Sequence, residues 1–68
     1  MKLSARNQLV GKVVEIKEGA VNATVKIEIA KDLVIVSTIS LDSVKELELK
    51  VGSEATAVIK ATSVMVMA

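Results

Sequence analysis

Apolar and polar residues alternate along most of this chain, and the period of the alternation predicts a protein built from β-strands. The clearest case is residues 21–29, where apolar side chains at every odd position alternate with Asn, Thr, Lys and Glu. A period of two places one set of side chains in a core and the other in water. Residues 33–39 are almost continuously β-branched and apolar, which predicts a strand covered on both faces.

The first strand is predicted over residues 9–17 and contains an irregularity. Val13 and Val14 are adjacent apolar residues that shift the alternation, which indicates either a β-bulge or burial on both faces. A tight turn at residues 18–20 joins this strand to the next, and Gly19 is able to adopt a positive φ there. Residues 30–32 form the turn that precedes the third strand.

After the third strand the spacing of apolar residues changes from two to three, which predicts a short helix over residues 40–47. Ser43 with Glu46 fits a capping box, and Ser40 or Asp42 fits the N-cap position equally well. Strand alternation returns at residues 53–61 and again at 63–67. This order of elements predicts an all-β fold, a small five-stranded OB-like barrel with one short helix between strands 3 and 4. A small SH3-like barrel is the alternative.

The composition of the chain predicts that it associates with other copies of itself. The chain has 68 residues and no linker-like segment, so we expect one domain over residues 1–68. It is 51% hydrophobic without any aromatic residue, and its mean hydropathy is +0.55. A domain of this size buries too little surface to hide so many apolar side chains. Without Cys or His, oligomerisation is the remaining way to stabilise it, and we expect a homo-oligomer.

The same composition argues against several classes of function. Because the chain lacks His and Cys, it has no ordinary nucleophile–base pair, and we expect no enzymatic activity. A net charge of +1 and the lack of aromatic rings disfavour nucleic acid, which such barrels bind by stacking bases in a basic groove. No apolar run reaches the length of a membrane span, and the first four residues do not resemble a signal peptide. We therefore expect a cytoplasmic protein.

Hydrogen-bond donors suited to a small oxyanion are well supplied. Residues 4–8 combine a hydroxyl, a small residue, a guanidinium group and two amides just ahead of the first strand. Ser40 and Ser43, at the start of the predicted helix, add hydroxyls and free backbone N–H groups. Lys60 adds a second positive charge. Each group also has an ordinary structural interpretation, as a solvated terminus, a helix cap or a solvent-facing lysine.

Three sequence blocks resemble the molbindin (Mop) family. Residues 4–13, SARNQLVGKV, are similar to the family's opening, and ISLDS at 39–43 and AVIKAT at 57–62 match later motifs in the same order. The resemblance covers essentially the whole chain. It implies an OB-like barrel that binds molybdate or tungstate between subunits of a hexamer, a trimer of dimers. It implies no cofactor and no metal ion coordinated directly by side chains.

The resemblance also assigns site residues to this chain, Ala5 and Ala61 acting through their backbone N–H groups. The oxyanion site then consists of Ser4, Ala5, Arg6, Ser40, Ser43, Lys60 and Ala61. A second type of site near the symmetry axis is known in the family, and the motifs do not place it here. Its candidates are Lys12, Val21 and Asn22.

The ligand suits such a set of residues. Molybdate is a tetrahedral dianion whose oxygens only accept hydrogen bonds, so a pocket made of donors satisfies it and a carboxylate would repel it. The expected function is therefore binding of molybdate, and of tungstate, for intracellular storage and homeostasis of molybdenum. One alternative is a structural oligomer or interaction module without a ligand, in which the polar N-terminus only positions an exchanged strand. The other is an OB-type nucleic-acid-binding domain.

Overall fold

The computed structural model describes residues 3–68, which form a curled sheet of four strands with one short helix. Met1 and Lys2, part of the predicted domain, lie outside the described residues. The sheet order is β3-β2-β1-β4, and each neighbouring pair is antiparallel. The elements are β1 (Asn7–Glu18), β2 (Asn22–Ala30), β3 (Leu33–Ser40), α1 (Leu41–Glu46), β4 (Glu54–Ile59) and a 3₁₀ turn, Ala61–Ser63. The first four predicted strands and the helix are confirmed.

The curl of the sheet is concentrated in β1, which changes partners along its length. Its first half, Asn7 to Lys12, pairs with β4, and its second half, from Lys12 to Glu18, pairs with β2. Gly11 lies at the crossing. A Cβ atom there would stand 2.3 Å from the carbonyl oxygen of Glu28, closer than atoms can approach. Only glycine therefore lets β2 cross β1 this tightly.

The two adjacent valines of β1 mark a β-bulge. The register between β1 and β2 shifts between Val13 and Glu15, so Val14 is the extra residue. Val13 is 1% exposed, whereas Val14 is 42% exposed. The bulge interpretation is confirmed and burial on both faces is wrong, because the inserted residue lies on the outer surface of the bend.

The core is entirely aliphatic, and each described strand except β3 contributes at least one buried residue to it. The helix contributes Val44, which covers the same cluster at one end of the sheet. Burial of a valine or isoleucine side chain contributes roughly 1.5–3 kcal/mol. The buried residues are Val13, Ala23, Val25, Ile27, Val44 and Ala57.

The turn residues that adopt a positive φ do not include Gly19. Gly19 does not have a positive φ; its N–H donates to the carbonyl of Asn22 at 2.8 Å and closes the turn without a left-handed residue. The predicted turn before β3 is confirmed, since Ala30 pairs with Leu33 and Asp32 has φ 62°. In the connection from α1 to β4, Gly52 has φ 95°, a conformation that glycine adopts without strain.

Two predictions about strands are wrong for the single chain. The outer face of β3 is not covered, because Val34 and Val36 are exposed on an edge strand. Residues 63–67 do not form a fifth strand. The N–H of Ser63 donates to the carbonyl of Lys60 at 2.9 Å, which turns the chain at the end of β4, and the residues that follow lie in solvent without a strand to pair with.

Candidate functional site

The N-terminal and C-terminal blocks of the predicted site lie at the same end of the sheet. The pairing of β1 with β4 ends at Asn7 and Ile59. The next residues outward are Arg6 on one strand and Lys60 on the other, each exposed. Two segments that are 52 positions apart in the sequence are held here by a side-chain bond as well, from the Asn7 Nδ2 to the carbonyl oxygen of Ile59 at 3.2 Å. The register therefore places Arg6 and Lys60 at the same end of the sheet.

The two amides of the opening run have structural partners. Besides the bond of Asn7 to β4, the Gln8 Nε2 donates to the carbonyl oxygen of Ala5 at 3.0 Å. Both bonds fix the backbone around Ala5 and Arg6. Ser4 and Arg6 are exposed, and Ala5 is half-buried between them. In this run, Asn7 and Gln8 therefore fix the backbone, whereas Ser4 and Arg6 are exposed and free to donate to a ligand.

The two serines of the middle block form one hydrogen-bonded unit at the start of α1. Ser40 is the N-cap residue, and its Oγ accepts from the N–H of Ser43 at 3.1 Å. The Ser40 hydroxyl in turn donates to the Ser43 Oγ at 2.9 Å. The proposed capping box of Ser43 with Glu46 is wrong, because the helix begins at Leu41 and Ser40 occupies the cap. Both serines are half-buried.

The serine unit lies at the opposite end of β1 from the two cations. Ser40 pairs with Asn22, which leads into the pairing of Ala23 with Glu18 at the end of β1. β1 has 12 residues, and a straight strand of that length spans roughly 40 Å. The bend at Gly11 shortens this distance, but hydrogen bonds to one small anion require donors about 3 Å from its oxygens. One chain therefore does not bring the three blocks together.

The candidates for the second site are separated as well. The carbonyl oxygen of Val21 accepts from the N–H of Leu41 at 2.9 Å, so Val21 and Asn22 lie beside the serine unit. Lys12 lies in the middle of β1, where the two registers place it opposite Glu28 on β2 and Glu54 on β4. Two carboxylates across from this lysine oppose the approach of an anion.

The distribution of charge along the chain is a signal that the sequence analysis missed. All eight carboxylates fall within residues 15–54, where they outnumber five lysines and leave a net charge of −3. Residues 1–14 and 55–68 contain no acid and four cations, namely Lys2, Arg6, Lys12 and Lys60. The near-zero net charge of the whole chain conceals this separation. The segments on either side of Arg6 and Lys60 are therefore free of groups that would repel a dianion.

Two further features concern metals and membranes. Within residues 3–68 no group of three or more Asp or Glu side chains is arranged to hold a metal ion. In that same part of the chain no helix is long and apolar enough to cross a membrane.

Comparison with known proteins places this geometry in a family. The TOBE domain family matches residues 3–66. A probable molybdenum-pterin-binding protein from Haemophilus influenzae is 65% identical over 66 residues, which are 97% of this chain and 96% of that protein. A molybdate-binding protein from Sporomusa ovata superposes with a TM-score of 0.93 at 40% identity, covering all of both chains. The cytoplasmic molybdate-binding protein ModG superposes with a TM-score of 0.92 at 46% identity, covering 96% of this chain and 46% of that one.

The curled sheet with its single helix is thus an OB-like fold of the kind found in small binding proteins, and the similar proteins are binding proteins rather than enzymes. The chain belongs to the TOBE domain family and, within it, to the single-domain molbindin (Mop) proteins. The family resemblance and the OB-like fold class are confirmed. The described residues form four strands, not the five that were expected.

Proposed function

We propose that this protein binds molybdate and tungstate between copies of the chain and serves as an intracellular store and buffer of molybdenum. The observation that carries the proposal is the separation of donors. Arg6 and Lys60 lie at one end of β1 and the serine unit at the other. A complete pocket then requires the cationic end of one copy and the serine end of another.

The chemistry of the proposed pocket suits a dianion. Its members are Ser4, the N–H of Ala5, Arg6, Ser40, Ser43, Lys60 and the N–H of Ala61. The pocket contains hydroxyl, N–H and cationic donors and no carboxylate. Hydrogen bonds to a charged group contribute roughly 1.5–3 kcal/mol each. In such a pocket the neutral donors set the tetrahedral geometry while Arg6 and Lys60 offset the charge.

The assembly we propose is a hexamer, a trimer of dimers, located in the cytoplasm. Its support is the exposed apolar surface of the single chain, which includes Val10, Val36 and Val58, and the similarity to a protein described as cytoplasmic. We propose the second type of site near Val21 and Asn22, beside the serine unit, and exclude Lys12 from it because that lysine lies opposite Glu28 and Glu54 in the middle of β1. Release of the anion then follows its free concentration by mass action.

Calorimetry combined with native mass spectrometry tests the proposal. We expect saturable heat with molybdate and with tungstate, and oligomers whose mass increases by whole numbers of bound anions. Sulfate, which has the same charge and shape but is smaller, is the matched control and should bind at least about tenfold more weakly. Absence of heat and of added mass with all three anions would favour a structural oligomer without a ligand.

A molybdenum–pterin compound is the second candidate ligand, because the Haemophilus influenzae relative carries the name of a probable molybdenum-pterin-binding protein. This chain has no aromatic residue, so it would have to bind a pterin without stacking it on a ring. A competition measurement distinguishes molybdate from a molybdenum–pterin compound as the ligand. If molybdate fills the pocket alone, free pterin should leave its affinity unchanged.

A further inference from the structure

One hydrogen bond joins the two sequence blocks that carry the cations of the proposed site. The Asn7 Nδ2 donates to the carbonyl oxygen of Ile59 at 3.2 Å, across 52 positions of sequence. Within residues 3–68, every other hydrogen bond that involves a side chain joins residues three positions apart. The only long-range side-chain hydrogen bond in that part of the chain therefore lies beside the site.

This bond is formed at the last pair of β1 with β4, where the two strands are held least firmly. Asn7 is the first residue of β1, Ile59 is the last of β4, and the register pairs them. The ends of paired segments open more readily than their middles. Both residues are half-buried, so water competes less for this bond than it would at an exposed end.

The carbonyl that accepts the bond belongs to the peptide group between Ile59 and Lys60. A peptide group is planar, so fixing its C=O also fixes its N–H and the direction in which the chain continues. Asn7 thereby sets the point from which Lys60 extends. The following peptide group, between Lys60 and Ala61, is held from the other side, because the N–H of Ser63 donates to the carbonyl of Lys60 at 2.9 Å.

The Arg6 side of the site is held by the neighbouring amide. The Gln8 Nε2 donates to the carbonyl oxygen of Ala5 at 3.0 Å, and that carbonyl belongs to the peptide group between Ala5 and Arg6. Successive side chains of a strand point to opposite faces, so one amide reaches across to β4 while the next reaches back along its own chain. Each amide therefore fixes the peptide group that precedes a cationic residue.

We propose that Asn7 is a positioning residue of the oxyanion site, which fixes the placement of Lys60 relative to Arg6 and does not itself contact the anion. A small tetrahedral anion needs donors about 3 Å from its oxygens, so a strand end that the ligand has to order costs affinity. A bond that is formed before binding removes that cost. The proposal rests on the proposed function, because it gives Asn7 a part in the same site.

Calorimetry with molybdate on the assembled protein tests the role through Asn7→Leu, which retains the branched shape of the side chain and removes its donor. We expect the affinity to fall about 3- to 10-fold, the range for one neutral hydrogen bond. The matched control is Thr56→Ala, exposed on β4 three pairs further into the same ladder, which should keep wild-type affinity. Asn7→Val, which suits a strand and also lacks the donor, takes its place if Asn7→Leu does not fold.

A second measurement distinguishes positioning from a general loss of stability. Asn7→Leu is combined with Lys60→Ala, and a thermal melt accompanies each titration. If Asn7 acts through the placement of Lys60, its substitution should cost less than about twofold in the Lys60→Ala background, because the cation that it places has been removed. An equal fold-loss in both backgrounds would overturn the proposal, since a purely structural role or a direct contact with the anion gives additive effects.

The outcomes also distinguish this proposal from the proposed function. Molybdate binding that Lys60→Ala weakens and Asn7→Leu leaves unchanged removes the positioning role and keeps the function. A wild-type protein that binds no molybdate removes both. A loss confined to the background that contains Lys60, with Thr56→Ala at wild-type affinity, supports the positioning role.

Discussion

Neighbouring residues of the opening run have different tasks, and the hydrogen bonds distinguish them. Asn7 donates to β4 and Gln8 donates to the backbone of Ala5, so both amides hold the end of the sheet in shape. Ser4 and Arg6 stay exposed on that frame. Side-chain type alone does not separate these roles, because serine, amide and guanidinium groups are all suitable donors to an oxyanion.

At the residue scale we predict that Arg6→Ala or Lys60→Ala weakens molybdate binding by roughly 10- to 100-fold, since each removes one charge-assisted hydrogen bond. Calorimetry on the purified variants measures the loss. Lys26→Ala is the control for removal of one positive charge: its Nζ contacts Glu15 Oε2 at 3.4 Å in the middle of the sheet. Wild-type affinity in both site variants would refute their assignment.

Among the elements, α1 is short and depends on its cap. It has six residues, too few for the helix to persist on its own. Its position is fixed by the buried Val44, by the bond from the N–H of Leu41 to the carbonyl of Val21 and by the Ser40 cap. The same cap carries the hydroxyls of the proposed site. Ser40 therefore contributes both to the stability of the helix and to the proposed binding site, and a single variant of Ser40 does not distinguish the two contributions.

A pair of serine variants separates the two roles at the element scale. We predict that Ser40→Ala lowers the free energy of unfolding by about 1 kcal/mol, because the N–H of Ser43 loses its acceptor. Ser43→Ala retains that N–H and should change stability by less than about 0.5 kcal/mol. Both variants should weaken molybdate binding. Denaturant unfolding without ligand and calorimetry with ligand give the two quantities, and binding unaffected by Ser43→Ala would leave that residue with no part in the pocket.

At the scale of the whole molecule, the isolated chain leaves much of its apolar surface exposed. Within residues 3–68 the core contains six buried residues, all aliphatic, while β3 and β4 leave an open apolar cleft and residues 64–67 lie in water. A domain of this size is marginally stable by itself. In the proposed function, association with further copies covers the apolar surface and completes the pocket, so stability and binding would both depend on assembly.

The dependence on assembly predicts a melting temperature that rises with protein concentration. If folding is coupled to association, dilution favours the unfolded chain by mass action. Circular dichroism melts over a hundredfold range of concentration should show a steady rise in Tm. A full-length Tm that is independent of concentration would contradict coupled folding and association.

Much of the fold is predictable from local patterns, as two elements show. The period of two in β2 and the change of spacing before α1 depend on residues only a few positions apart, and both elements form where they are expected. The pair Val13 and Val14 indicated an irregularity but not its kind. Which of the two valines is buried depends on the register of β1 against β2, and register is set between strands.

The site was only partly predictable for the same reason. Arg6 and Lys60 could be named as donors from their chemistry and the family resemblance, but their position at the same end of the sheet follows from the pairing of β1 with β4. The cap at Ser40 was one of several that the sequence allowed. The carboxylate-free ends of the chain were visible in the sequence, yet their significance appeared only when the register joined them.

By itself, then, the sequence determined the elements and the kind of ligand, and it predicted a need for partners, because alternation, composition and motifs are local or summed properties of the chain. Only the tertiary structure decided that the donors lie at opposite ends of β1, that β3 and β4 are left as free edges, and that residues 64–67 leave the sheet. These are relations between distant segments. They depend on register, on the close approach at Gly11 and on the turn after β4, which no alternation of side chains encodes.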